Sequence, residues 1–243
     1  MVRLSAGVVL ATLLTSANAT RAPSSAATKS AAAAVDSFAA LEHAVGSTVS
    51  SISLTAAEKI VFPHQIHVQR ATALSIESSI GTTLSGGGSN RLFFLANETK
   101  LHLRGVALVQ GRCSGCPGGA IFLSSDSELT LTGSRISFSE AFLGGAIYSL
   151  GSSVVRMTNC ALNSNSATLG GSVYAAGDSI VSATDCTMTL NSALMGGGAV
   201  VADDRSILTT TSCWFTLNSA RTGSVNQPGL SSATCMLTLK CGC

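Results

Sequence analysis

Three carboxylates in the C-terminal third of the chain are the candidates for catalysis. Asp178, Asp203 and Asp204 fall at corresponding turns of a repeated sequence. Glycoside cleavage uses two carboxyl groups roughly 5 to 9.5 Å apart, and turns of adjacent coils could hold these groups at such a distance. The same turn register contains Ser-Asp-Ser, Gly-Ser-Ser, Gly-Asp-Ser and Asp-Asp-Arg, which are ordinary turn formers. We therefore interpret the three residues as turn residues, with glycoside chemistry or weak calcium binding as alternatives.

The eight cysteines include two distinct arrangements. Cys160, Cys186 and Cys213 recur once per repeat, and we expect an inward column of buried thiols. Side chains of neighbouring parallel strands point the same way, which makes the disulfide torsion unfavourable. Cys113 and Cys116 lie in a short turn, where we expect a local disulfide. Zinc would need a second cysteine pair and thioredoxin-like chemistry a βαβ unit, so we predict no metal or cofactor.

Asparagine and threonine also recur at the repeat spacing. Asn165, Asn191 and Asn218 predict a ladder in which each amide donates to a carbonyl oxygen of the next coil, with ligand contact as the alternative. A threonine column predicts a solvent-facing strand face. Its Thr-x-Thr pairs resemble the arrays of ice-binding β-helices, although Arg156 and Ser182 interrupt the second column. The threonine column consists of Thr132, Thr158, Thr184 and Thr211.

These columns belong to a phrase that recurs every 26 or 27 residues, with the form apolar-x-x-Asn-x-Ala-x-x-Gly-Gly-Ala-Ile. A fixed period of this length predicts stacked units that bury a common core. We expect the paired glycines to supply a positive φ at a tight bend, because no Lys-Ser/Thr or helix follows them as in a phosphate loop. The pairs are Gly118 and Gly119, Gly144 and Gly145, Gly170 and Gly171, and Gly197 and Gly198.

Short apolar runs with a period of two, separated by Gly/Ser/Asn clusters, indicate strands and turns. Like residues stack on like in successive repeats, as in a parallel coil whose turns lie about 4.8 Å apart. The sequence therefore predicts an all-β protein, a right-handed single-stranded parallel β-helix of about seven coils. The crossover rule gives the hand, and the architecture is the pectin-lyase-like solenoid.

The N-terminal part of the chain has a different composition. Residues 1–19 contain a positive residue, a short apolar run and small residues before the expected cleavage site, which predicts a signal peptide. Residues 20–57 are Ala/Ser-rich and predict a linker or a cap, with a short helix over residues 31–45. The β-helix is expected over residues 58–243, with clear repeats at 101–225. Asn97 is a candidate glycosylation site if the source is eukaryotic.

The Gly-Gly-Ala-Ile and apolar-x-x-Asn phrases resemble the repeats of the polymorphic outer-membrane protein family, whose members resemble autotransporter adhesins. The resemblance covers residues 101–225 and implies a surface adhesin. Residues 84–95 and 101–106 resemble the opening coils of many secreted right-handed β-helix proteins. The sequence departs from the family pattern at Ser139, which replaces the first Asn, and at Gly223-Ser224, which replaces the last glycine pair.

From these observations we expect a secreted or cell-surface, non-catalytic β-helix that serves adhesion or scaffolding. A carbohydrate-active enzyme, either a polysaccharide lyase or a glycosidase, is the alternative, and ice binding is a remote one. The net charge of +2 gives no basic stripe for nucleic acid, and no segment after the signal peptide predicts a membrane span. Extracellular polysaccharides or cell-surface proteins are the expected partners. The register decays after Val225 without a recognisable cap, which suggests a truncated longer protein or self-association through the open coil.

Overall fold

The computed structural model describes residues 32–70, 72–222 and 227–228. These residues form a parallel β-solenoid with one short helix, and the chain makes about six turns, close to the seven expected. The predicted signal peptide and the segment after Val225, except for residues 227–228, lie outside the described residues.

Four parallel sheets, here called S1 to S4 in the order in which a coil visits them, form the faces of the solenoid. S1 has eight strands and S2 has seven. The S1 strands are Ala33–Val35, Ser51–Leu54, Leu74–Glu77, Lys100–Arg104, Glu128–Thr132, Val154–Thr158, Ile180–Thr184 and Ile207–Thr211. The S2 strands are Ile60–Val61, Thr83–Ser85, Ala107–Val109, Arg135–Ser137, Ala161–Asn163, Thr187–Thr189 and Trp214–Thr216.

S3 has five strands and S4 has seven. The S3 strands are Arg112–Cys113, Glu140–Leu143, Ser166–Leu169, Ser192–Met195 and Ser219–Thr222. The S4 strands are Ile66–Val68, Phe93–Leu95, Ile121–Leu123, Ile147–Ser149, Val173–Ala175, Val200–Ala202 and Gln227–Pro228. Three strands per coil were expected, whereas the coils from Arg112 onward have four. The extra strand forms because the segment before each glycine pair also bonds to the next coil.

The core lies inside the solenoid and consists of the alternate strand residues that the period-two pattern predicts. In S1, Leu101, Leu129, Val155 and Val181 stack in register and are fully buried. Their neighbours along each strand face outward, so each strand contributes about half of its side chains to the core. One continuous cluster of buried residues extends from Val35 to Val200.

The N-terminal boundary differs from the expected one. A helix was expected over residues 31–45, but the helix is Phe38–Gly46 and Ala33–Val35 is a strand paired with Ser51–Leu54. Ser37, which has an extended backbone conformation, is the N-cap of this helix. Ser51–Leu54 also pairs with Leu74–Glu77, so the solenoid begins before residue 58.

The glycine pairs have two different roles. The first glycine of a pair has the positive φ that was expected: Gly118, Gly144 and Gly170 have φ of 71°, 59° and 63°. The second has no positive φ but lies against the next coil, since a Cβ on Gly171 would be 2.1 Å from the carbonyl oxygen of Gly198. The following coil has three successive glycines: Gly196 has the positive φ, and Gly197 and Gly198 are the close-packed positions.

Candidate functional site

The three candidate carboxylates lie in turns that connect S4 to S1, and neighbouring residues bond to each of them. Asp178 forms a bidentate ion pair with Arg205 of the next coil, with Nε–Oδ1 and Nη2–Oδ2 distances of 2.6 and 2.7 Å. Asp203 accepts a hydrogen bond from the Tyr174 hydroxyl at 2.5 Å. Asp204 accepts one from a backbone N–H of the preceding coil at 3.0 Å. These contacts join two coils at the turns.

The same contacts set the proton affinities of the turn. The hydrogen bond from Arg205 lowers the pKa of Asp178, and the hydrogen bond from Tyr174 lowers the pKa of Asp203. Burial and the bond to Asp203 raise the pKa of Tyr174. A glycosidase acid needs a raised pKa, and a lyase base must lose its proton near the working pH. Asp178 and Asp203 therefore suit a general acid poorly, and Tyr174 suits a general base poorly.

A metal site was not expected beyond weak calcium binding at these aspartates. In residues 32–70, 72–222 and 227–228, no three His, Cys, Asp or Glu side chains lie close enough together to hold a metal ion. The same residues contain no helix with the length and hydrophobicity needed to cross a bilayer.

The asparagine column lies between S2 and S3 and bonds along the solenoid axis. The Nδ2 of Asn191 donates to the Leu162 carbonyl oxygen at 2.8 Å and to Asn218 Oδ1 at 3.0 Å. Its Oδ1 accepts from the backbone N–H and the Nδ2 of Asn165, at 3.0 and 3.1 Å. Asn165 and Asn191 are fully buried. This geometry places the side chains in the ladder rather than in contact with solvent or a ligand.

The positive φ at this corner belongs to the residue before each asparagine, or before Ser139 in the first coil of the column, and not to the asparagine itself. Phe138, Ser164, Leu190 and Leu217 have φ between 54° and 58°. The asparagine side chain must point inward to bond to the adjacent coils, so the preceding residue makes the reversal. Three of these residues are large and apolar, and Leu217 is 75% exposed.

The cysteine column occupies the corner between S1 and S2. Cys160 and Cys186 are buried, Cys213 is half-buried, and all three are free thiols. The Sγ of Cys186 accepts from the backbone N–H of Cys160 at 3.4 Å and donates to the Thr184 carbonyl oxygen at 3.2 Å. Hydrogen bonding to the adjacent thiol raises the pKa of Cys186 and of Cys213. Each thiol thus links adjacent coils by accepting from a backbone N–H, as each asparagine does, but with weaker hydrogen bonds.

The outward side of S1, here called the S1 face, has three columns of side chains in register. Thr132, Thr158, Thr184 and Thr211 are one of these columns. The middle column continues from Thr130 through Arg156 and Ser182 to Thr209. Arg156 therefore stands inside the hydroxyl array and forms an ion pair with Glu128 at 3.4 Å.

An aromatic column on the outward side of S4 was not predicted. Phe94, Phe122, Tyr148 and Tyr174 stack with centroid separations of 4.9, 5.3 and 5.6 Å. Three of them lie four residues after the first glycine of a pair, so their fixed position in the repeat could have predicted the column. Arg91 lies over the rings of Phe94 and Phe122. Arg91 contacts residues of several coils, which are far from it in the sequence, so no local sequence pattern could have predicted these contacts.

Two further predicted sites lie at turns. Cys113 and Cys116 form a disulfide with a Cα–Cα distance of 5.2 Å. Asn97 is exposed, whereas Thr99 of the same sequon is buried and its hydroxyl donates to the carbonyl oxygens of Ala96 and Val68.

The stacked coils and axial ladders define a repeat protein of the parallel β-solenoid class. The right-handed β-helix region family matches residues 70–234, more than half of the chain. The chain therefore belongs to this family. No curated protein and no solved structure matches it.

Proposed function

We propose that the chain is an exported, non-catalytic β-helix that acts in adhesion or as an extracellular scaffold and binds its ligand through the S1 face. The observation that carries this proposal is the length and regularity of that face. Eight parallel strands pair in register, and the outward columns are mostly polar. Eight strands about 4.8 Å apart extend for about 34 Å, which suits a polymer better than a small molecule.

The S1 face has two chemically different regions. Its central strands have charged side chains, including Arg104 and Arg156, and Lys100 forms an ion pair with Glu128 at 3.6 Å. Its last two strands have hydroxyl groups beside the exposed aliphatic residues Ile180 and Ile207. Hydroxyls next to apolar patches are groups that bind sugar rings, so we take an extracellular polysaccharide as the ligand class. A cell-surface protein is the alternative outcome.

Three further features support this proposal. The carboxylates that an enzyme would use are bonded within the turns, and two have lowered pKa values. The sequence features of residues 1–19 support export. The resemblance of the repeats to the polymorphic outer-membrane protein family supports a surface location.

A matched pair of variants tests the binding face. Thr184 on S1 and Thr187 on S2 lie three residues apart in one coil, and both are half-exposed. Thr184→Lys should weaken binding to a polysaccharide that the wild type retains, by about tenfold, because a long charged side chain would block the face. Thr187→Lys should leave binding unchanged. Binding can be measured by affinity electrophoresis in gels containing candidate polysaccharides.

Equal losses of binding in the two variants would contradict the assignment of the S1 face. If the wild-type protein binds to cells but to none of the polysaccharides, a cell-surface protein is the favoured partner. A reducing-sugar and uronate-release assay on the same polysaccharides tests the enzyme alternative. If the wild-type protein cleaves a polysaccharide and Asp204→Asn abolishes this cleavage, the non-catalytic proposal is refuted.

A further inference from the structure

The Cys113–Cys116 disulfide closes a turn that other contacts already hold in place. Phe142 donates its backbone N–H to the Cys116 carbonyl oxygen at 3.0 Å, and the strand Arg112–Cys113 pairs with Glu140–Leu143 of the next coil. The sequence separation of the two cysteines is only 3. The stabilisation from a crosslink decreases as the closed loop becomes shorter, so this disulfide contributes little to the stability of the fold.

Arg91 places a positive charge directly at one of the two sulfurs. Its Nη2 donates to Cys113 Sγ at 2.8 Å and to the Pro117 carbonyl oxygen at 2.5 Å. Its Nε donates to the Gly118 carbonyl oxygen at 2.8 Å, and its Nη1 donates to Gln65 Oε1 at 2.9 Å. Three oxygen acceptors therefore fix the guanidinium whether or not the disulfide is intact.

The charge of Arg91 is not neutralised by a carboxylate. In the part of the chain that the structure describes, no Asp or Glu forms an ion pair with Arg91, and the rings of Phe94 and Phe122 cover one side of the guanidinium. Burial lowers the pKa of Arg91 to about 10. An anion at the position of Cys113 Sγ would relieve this burial cost, and a thiolate formed by reduction is such an anion.

We propose that Cys113–Cys116 is a thiol–disulfide exchange site that oxidises exposed dithiols of other molecules, one dithiol for each chain, with Arg91 stabilising the Cys113 thiolate. The turn is accessible, since both cysteines are half-exposed and the two residues between them are exposed. A substrate thiolate attacks Cys116 Sγ, the Cys113–Cys116 bond breaks, and Cys113 leaves as the thiolate beside Arg91. The second substrate thiol then gives up its proton and displaces Cys116, which takes up a proton. The substrate becomes a disulfide, two electrons pass to the cysteine pair, and one proton is released to solvent.

The test uses the full-length protein and dithiothreitol as the dithiol. The fraction of reduced Cys113–Cys116 is measured in buffers of defined oxidised-to-reduced dithiothreitol ratio, by alkylation and peptide mass mapping. The pH dependence of Cys113 alkylation in the reduced protein gives the pKa of this thiol. In the wild type it should lie well below the ordinary value of about 8.5. Arg91→Met should raise it and shift the exchange equilibrium about tenfold toward the disulfide, because a charge-assisted hydrogen bond to the thiolate is lost.

Two further variants separate the charge from the fold. Arg112→Met removes an exposed positive charge next to Cys113 that pairs with Glu140 at 3.3 Å, and it should change neither value. Arg91→Lys keeps the charge and should retain a lowered Cys113 pKa. The same shift in Arg91→Met and Arg112→Met would overturn the proposal. If Arg91→Met does not fold, the wild-type titration decides, and an ordinary or raised Cys113 pKa refutes the thiolate site.

Discussion

Replacing Asn191 by alanine tests the asparagine ladder at its best-bonded position. The Asn191 side chain takes part in four hydrogen bonds, at 2.8, 3.0, 3.0 and 3.1 Å. Its removal takes away the acceptor of the backbone N–H of Asn165, a residue that is fully buried. At about 1 kcal/mol for each bond the loss is about 4 kcal/mol, and partial relaxation of the coils would reduce it to about 2 kcal/mol.

Asn163 provides a matched control in the adjacent coil. It lies two residues from Asn165 on the outward side of S2, it is half-buried, and its Oδ1 has no hydrogen-bond partner. Asn163→Ala should therefore change the free energy of unfolding by only about 0.5 kcal/mol. The measurement is urea-induced unfolding followed by far-ultraviolet circular dichroism, with the midpoints of the two variants compared with that of the wild type.

Asn191→Asp distinguishes the donor from the acceptor. It keeps an oxygen for the Asn165 N–H but removes the donor to Leu162 and Asn218, and it places a negative charge in the core. It should destabilise the protein at neutral pH at least as much as alanine does, with partial recovery when acid protonates the carboxylate. Equal midpoints for Asn191→Ala and Asn163→Ala would refute the view that this ladder stabilises the coils.

Two other predictions concern the tyrosines and the glycine corner. The chain has two tyrosines, and burial raises the pKa of both Tyr148 and Tyr174, so native phenolate absorbance should stay low at pH values near 10 and appear on unfolding. Their contribution to stability is present below about pH 10 and is lost as the pH rises further; native titration at about 10 would contradict the burial argument. Gly171→Ala should lower the free energy of unfolding by about 1–3 kcal/mol, because the added Cβ would collide with a carbonyl oxygen of the next coil. Gly46→Ala, where a Cβ meets nothing within 4 Å, is the control, and equal melting temperatures would contradict the close-packing role.

The sequence was sufficient to predict the inward columns that repeat once per coil, whereas the outward aromatic column of S4 was missed. Leu129 and Val155 stack because their spacing equals one turn, and the same spacing puts Asn165 over Asn191. Contacts that occur once could not be predicted in this way. Arg91 reaches residues from Gln65 to Gly118 through the fold, and nothing in its local sequence marks it. The fourth strand of each coil was not predicted because some of its outward side chains are apolar, so the alternation of polar and apolar residues that marks the other strands is lost.

The solenoid constrains its inward and outward residues differently. Inward positions must match the coil above and the coil below, so a side chain there is determined largely by packing and bonding along the axis. Outward positions on S1 need only alternate with the core, and backbone pairing does not require the charged central strands and the hydroxyl-bearing last strands of this face to differ. That difference, like the single Arg91–Cys113 contact, is therefore not a consequence of the fold. At these two places, selection for a ligand or a reaction can act without changing the inward columns.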